Sequence, residues 1–191
     1  MNCDGPIRAF VAIEITPEIR ERIEALQKRL GVRRARIRWV KPENIHLTLE
    51  FLGDITLETS KIVCLSLDSI AGLHMPLACE VRGLGYFGRR HAPKVIWAGI
   101  SGDVEKLVQI QSALHLKLKA DGIQTDEKPF VPHLTIARFR THQYAEEIVE
   151  SIESHNNDSL GSFDVKELVL FKSDLSSSGP TYTALHRSIL R

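Results

Sequence analysis

His46-Leu47-Thr48-Leu49 and His133-Leu134-Thr135-Ile136 repeat one four-residue pattern, 87 positions apart in a chain of 191 residues. The first copy lies in Ile45-His46-Leu47-Thr48-Leu49-Glu50-Phe51-Leu52, where polar and apolar residues alternate with period two. The second lies in Pro132–Phe139. Both read as β-strands. On a strand residues i and i+2 share a face, so each His stands beside its Thr, while Leu47, Leu49, Leu134 and Ile136 turn towards a core. Each copy is therefore a polar, reactive face backed by an apolar one. Packed about a pseudo-twofold axis, the two copies would present two imidazoles and two hydroxyls to one ligand across a groove.

Working outward from the motifs, the chain reads as interspersed strands and helices. Ile7–Ile15 is a β-branched strand. Thr16-Pro17-Glu18 then supplies an N-cap, a proline at the first helical position and an acidic first turn, so a helix is predicted over Pro17–Leu30, stopped by Gly31. Further helices are predicted over 56–71, 103–120 and 143–154, and strands over 36–40, 76–81, 95–100, 163–172 and 182–190. The glycine-rich stretch Gly83–Pro93 reads as a loop, and Ser173–Pro180 as a hairpin or a longer connection. Without steady βαβ alternation, this is an α+β chain with mostly antiparallel sheet, and residues 1–191 form one domain.

Composition narrows the function classes. With 43% hydrophobic and 26% charged residues the chain is an ordinary globular one. Twenty-five Lys and Arg against 24 Asp and Glu give a net charge of +1, so any site for a polyanion must be local. No apolar run approaches the ~18–20 residues that cross a bilayer, and the N-terminus lacks a signal-peptide pattern. A cytoplasmic protein without a membrane partner is expected. Cys3, Cys64 and Cys79 are isolated, which suits reduced thiols better than disulfides or zinc.

Two histidines with two threonines suit displacement at phosphorus. That chemistry needs a base for the attacking hydroxyl or water and an acid for the departing oxygen. Imidazole, with an ordinary pKa of about 6.5, can serve as either near neutral pH. Thr48 and Thr135 can donate to phosphate oxygens, and Arg138 is the natural cation to neutralise them. Strict alternation would point Arg138 away from His133 unless the strand twists or bulges between them. The competing readings are histidines satisfied within a fold, and metal ligation. The latter lacks HExxH, His-x-His and, apart from Glu50, a carboxylate at ligand spacing.

The motif pair, with Phe10-Val11-Ala12-Ile13, the stretch RWVKPENIHLTLEFLG (38–53), PHLTIAR (132–138) and LFKSDLSSSGPTYTAL (170–185), resembles the 2H phosphoesterases. Within them it looks like the bacterial and archaeal RNA 2′,3′-cyclic phosphodiesterases, also called 2′-5′ RNA ligases. The resemblance implies a bilobal fold of two antiparallel sheets related by a pseudo-twofold, with helices outside and a central cleft. It implies metal-independent opening of RNA 2′,3′-cyclic phosphate ends to 2′-phosphomonoesters without a cofactor, by a monomer. His46 would be the proton donor, His133 the proton acceptor, and Thr48 and Thr135 the phosphate ligands. Ligation would be the related step with a 5′-hydroxyl in place of water, and no GxxxxGK[ST] loop is present for a nucleotide.

Arg36, Arg38 and Phe130 are the candidate RNA contacts, since cations hold phosphates and aromatic rings stack on unpaired bases. Lys28–Arg38, Arg89-Arg90-His91 and Arg138 with Arg140 form local basic islands. Another 2H activity on small cyclic nucleotides or 2′-5′ oligoadenylates, and a non-catalytic RNA- or nucleotide-binding module, are the alternatives. With one histidine neutral and the other protonated, kcat/KM is expected to be bell-shaped around neutral pH.

Overall fold

A computed structural model describes residues 5–30, 37–143, 145–177 and 179–191. Arg36, Arg33, Arg34 and Cys3 lie outside these. The described elements are β1 (Ile7–Glu14), α1 (Pro17–Leu30), β2 (Ile37–Trp39), a 3-10 turn at Pro42–Asn44, β3 (His46–Ile55), α2 (Leu57–Ala71), β4 (Leu77–Arg89), β5 (Ala92–Gly102), α3 (Val104–Ala120), β6 (His133–Phe139), α4 (Ala145–Glu153), β7 (Ser159–Val165), β8 (Glu167–Ser176) and β9 (Gly179–Ile189). Helix α1 has the bounds its sequence predicts, because Pro17 presets the first turn. Thr56 caps α2, its hydroxyl accepting from the Thr59 amide at 3.1 Å.

The strands are antiparallel and run in the order β7-β4-β5-β6-β3-β1-β8-β9, with β2 paired to the free edge of β6. The two expected sheets are thus the two halves of one continuous sheet. They join where β3 meets β6, and that seam holds a single residue pair, Leu47 with Leu134. The motif strands are the innermost strand of each half. Outward from the seam, β6-β5-β4-β7 mirrors β3-β1-β8-β9, and helices fall at corresponding places in the chain: α1 and α3 precede the motif strands, α2 and α4 follow them.

One large core lies between the sheet and the helices, gathering Ala9, Val11 and Ile13 of β1, Leu47 and Leu49 of β3, and Leu134 and Ile136 of β6. Phe10, Ala12, Val169 and Phe171 form a second, smaller cluster with Tyr182 on the opposite face of β1 and β8. Strand β1 is an almost unbroken apolar run because both of its faces are covered.

The predicted loop at Gly83–Pro93 is instead a long hairpin of β4 and β5 that turns at Arg90-His91. Its glycines belong to the ladder. Gly83 (φ +74°) and Gly88 (φ +112°) sit at two register shifts, and Gly85 lies under the ring of Trp97, which a β-carbon there would overlap. Gly85→Ala should therefore cost about 1–3 kcal/mol of stability, read as a lower urea midpoint at unchanged slope. The single strand predicted over 163–172 is two strands, β7 and β8, broken at Lys166. The Ser-rich connection closes as a tight hairpin, with Ser176 opposite Gly179.

Candidate active site

Each motif begins at the first residue of its strand. Antiparallel pairing of Leu47 with Leu134 brings the two motifs together at the seam, near enough for the charge of His133 to act on His46. The two motifs are thus related by a local twofold through the leucine pair. Both histidines and both threonines are half-buried, and the leucines point to the core.

The imidazoles are anchored in the same way. His46 donates its Nδ1–H to the Asn44 carbonyl at 2.9 Å, and His133 donates its Nδ1–H to the Val131 carbonyl at 2.6 Å. A carbonyl only accepts, so both rings carry their hydrogen on Nδ1 and leave Nε2 for chemistry. Neither the Thr48 nor the Thr135 hydroxyl has a hydrogen-bond partner among the described residues, so both are available to a ligand.

The fourth motif residue has a structural role. Opposite β5 the register steps from Thr135 to Ala137, leaving Ile136 as a bulge, and opposite β1 it steps from Thr48 to Glu50, leaving Leu49 as a bulge. A bulge resets the alternation. Leu49 and Glu50 are both buried, as are Ile136 and Ala137, and the next residue in each strand, Phe51 or Arg138, is exposed. Arg138 therefore lies on the cleft side, where its charge acts on both His133 and Tyr182 of the other half. It has no ion pair among the described residues. Its twofold counterpart, Phe51, is 55% exposed, with its ring 6.3 Å from that of Phe10.

The two histidine environments differ. His46 stacks on Phe10 at 4.7 Å and meets the edge of Tyr182 at 5.2 Å. Burial among these rings pushes its pKa down to about 4. The Asn44 bond pulls it up, and Arg20 and Glu14 act in opposite directions. Glu14, opposite His46 in the register, is held by Arg187 at 2.7 Å. His133 meets Phe87 edge-on at 4.9 Å. Its pKa is also lowered, first by burial and further by Arg138, against the Val131 bond.

Among the RNA candidates, Arg38 pairs with Arg138 in the register, and its guanidinium reaches the β8–β9 hairpin, 3.1 Å from where a β-carbon on Gly179 would sit. Phe130 is half-buried and packs on the core, so the exposed aromatic beside the motifs is Phe51. Its signal in the sequence is its position, five residues after His46 as Arg138 is after His133. Within the basic islands Lys28 pairs with Glu24, Arg29 with Asp158 and Arg90 with Glu153. His115, outside the motifs, is tied to the buried Glu50 at 3.1 Å. Among the described residues no three His, Cys, Asp or Glu side chains gather as a metal cage would need, and no helix is long and apolar enough to cross a membrane.

Two strands that meet at the seam, each carrying His-x-Thr, form the candidate site of a phosphoesterase-like fold. The LigT-like phosphoesterase family model matches the chain over residues 13–97 and again over 99–182, one match for each motif. The chain belongs to that family. An RNA 2′,3′-cyclic phosphodiesterase of Aquifex aeolicus is 32% identical, covering 96% of this chain and 97% of its own, and one of Methanothermobacter thermautotrophicus is 30% identical over 93% and 95%. Among solved structures, a Thermus thermophilus protein superposes with a TM-score of 0.80 at 27% identity. Escherichia coli LigT complexed with 3′-AMP does so with 0.76 at 28%, each covering 97% of this chain and 98% of its own.

Proposed function

We propose that the protein opens the 2′,3′-cyclic phosphate at an RNA end to a 2′-phosphomonoester, without a metal ion or cofactor. The observation that carries this reading is the pair of identically anchored imidazoles, each held through Nδ1 with Nε2 left for chemistry, on two motifs joined at the seam. The names of the curated relatives and the 3′-AMP bound by LigT support a nucleotide end as substrate.

The phosphate sits between the two motifs, with Thr48, Thr135 and Arg138 on its non-bridging oxygens. His133 takes a proton from water through Nε2 as the water oxygen attacks phosphorus. The bond from phosphorus to the 3′-oxygen breaks on the opposite side, and His46 delivers a proton to that oxygen. Protons then exchange with solvent to restore the pair. Attack from the His133 side places the ribose on the His46 side, where Phe51 offers its face to the base. Hydrolysis becomes 2′-5′ ligation when a 5′-hydroxyl takes the place of water. The protein works as a monomer in the cytoplasm, with residues 1–191 as a single bilobal unit.

The pH dependence tests the assignment. His46 must carry a proton and His133 must not, while both free-enzyme pKa values lie below the ordinary 6.5, that of His46 at about 4. The kcat/KM bell should therefore lie on the acid side of neutrality, rather than centred there as the sequence alone suggests. A bound phosphate anion favours both protonated forms, so the kcat profile should lie at higher pH than that of kcat/KM. Rates measured from pH 4 to 9 in EDTA on an RNA ending in a 2′,3′-cyclic phosphate should give this displaced bell. A single sigmoid, or loss of turnover in EDTA, would count against the two-histidine mechanism.

A further inference from the structure

The β6 bulge that turns Arg138 into the cleft has its own support. Strand β2 ends at Trp39, and β3 touches β6 only at Leu134, so Ile136 lies in a gap between the two strands that share this edge. Its carbonyl accepts the Val40 amide at 2.9 Å. Into the same gap α1 sends Gln27, a buried polar side chain surrounded by core residues. The Gln27 amide nitrogen donates one hydrogen to the Val40 carbonyl at 2.9 Å and the other to the Ile136 carbonyl at 3.0 Å. Both of its protons are used, and without them the Val40 carbonyl loses this donor while the Ile136 carbonyl keeps the Val40 amide alone. The other half has a parallel: Gln111 of α3 reaches Glu50, the residue after the Leu49 bulge, at 3.3 Å.

We infer that Gln27 is a positioning residue for phosphate binding: it clamps the Ile136 bulge and so holds Arg138 on the cleft side of β6. This rests on the reading of the cleft as a phosphate site. Arg138, two residues beyond the clamp, emerges on the cleft side only while a bulge lies between it and Thr135, since an unbulged strand would turn position 138 to the core face.

The test is binding of inorganic phosphate by calorimetry to the full-length protein, which needs no turnover. Gln27→Met keeps the length of the side chain and removes both donors. It should weaken phosphate binding about tenfold, in the direction of Arg138→Ala but by less, and should add nothing in the Arg138→Ala background. A general loss of structure would instead add to the Arg138 effect. If Gln27→Met fails to fold, Gln27→Glu, which keeps size and polarity but turns acceptors towards the two carbonyls, enters the same cycle with the same expectation. Unchanged phosphate affinity in the single variant, or additive losses in the double variant, would overturn the inference. A wild type that binds phosphate through Arg138 but opens no cyclic phosphate would remove the proposed activity and leave the role of Gln27 to be judged on binding alone.

Discussion

Replacing either motif histidine by alanine should lower kcat for opening a 2′,3′-cyclic phosphate by about 10²–10⁴-fold, the range that a positioned acid or base contributes. The fold should survive, because neither ring supports the main core: Leu47 and Leu134 do that from the opposite face. His46→Ala removes a ring from the stack on Phe10, whereas His133→Ala loses only an edge contact with Phe87, so the former should melt slightly lower. The two losses should be strongly non-additive, since one transfer without its partner leaves the same uncompensated charge at phosphorus. Steady-state kinetics with circular dichroism on the two single variants and the double variant would check this. A variant that kept more than a tenth of the rate would remove its histidine from the proton-transfer roles.

Arg138→Ala carries the second large effect. Its guanidinium stands on the cleft side, unpaired among the described residues, and its charge reaches both halves. Hydrogen bonds to a charged group contribute about 1.5–3 kcal/mol, which corresponds to roughly a 10–150-fold loss in kcat/KM. Arg138→Lys should recover only part of this, because a lysine offers a point charge where two parallel donors are needed. Removing Arg138 also removes a charge that disfavours the imidazolium of His133. The His133 pKa should rise and the upper limb of the kcat/KM bell should move with it to higher pH. An unmoved limb would mean that Arg138 binds phosphate without setting the base.

The fold was legible wherever one local signal decided an element. Thr16-Pro17-Glu18 opens α1, and the alternation around each His-x-Thr marks β3 and β6. Glycine carries two meanings that the sequence does not separate. Gly83, Gly85 and Gly88 look like a loop, but they are register shifts and a ring-covered backbone in the β4–β5 hairpin, and only the partner strand's Trp97 shows the difference. In the site, the four motif residues were visible because they repeat. The orientation of Arg138 was not, since a bulge is a relation between strands: Ile136 becomes one only against the register of β5. The rings around His46 come from β1, β8 and β9, distant in sequence, and no spacing announces them. The same holds for Gln27, which lies 109 residues from the carbonyl it supports.

The acid side of the expected pH profile follows from that missed environment. A strand histidine read alone has an ordinary imidazole pKa, but packing against Phe10, Phe171 and Tyr182 removes water from one side of His46 and disfavours its charge. The active protonation state is then a minority form of the free protein, and the substrate's own phosphate favours it on binding.

The most direct measurement of the central claim is phosphorus NMR of the product formed from a short RNA ending in a 2′,3′-cyclic phosphate, in EDTA, by the wild type and by His46→Ala and His133→Ala. A 2′-phosphomonoester made by the wild type and by neither variant is the result predicted by in-line displacement between the two imidazoles. A 3′-phosphomonoester, or the same product from either variant at the wild-type rate, would contradict it.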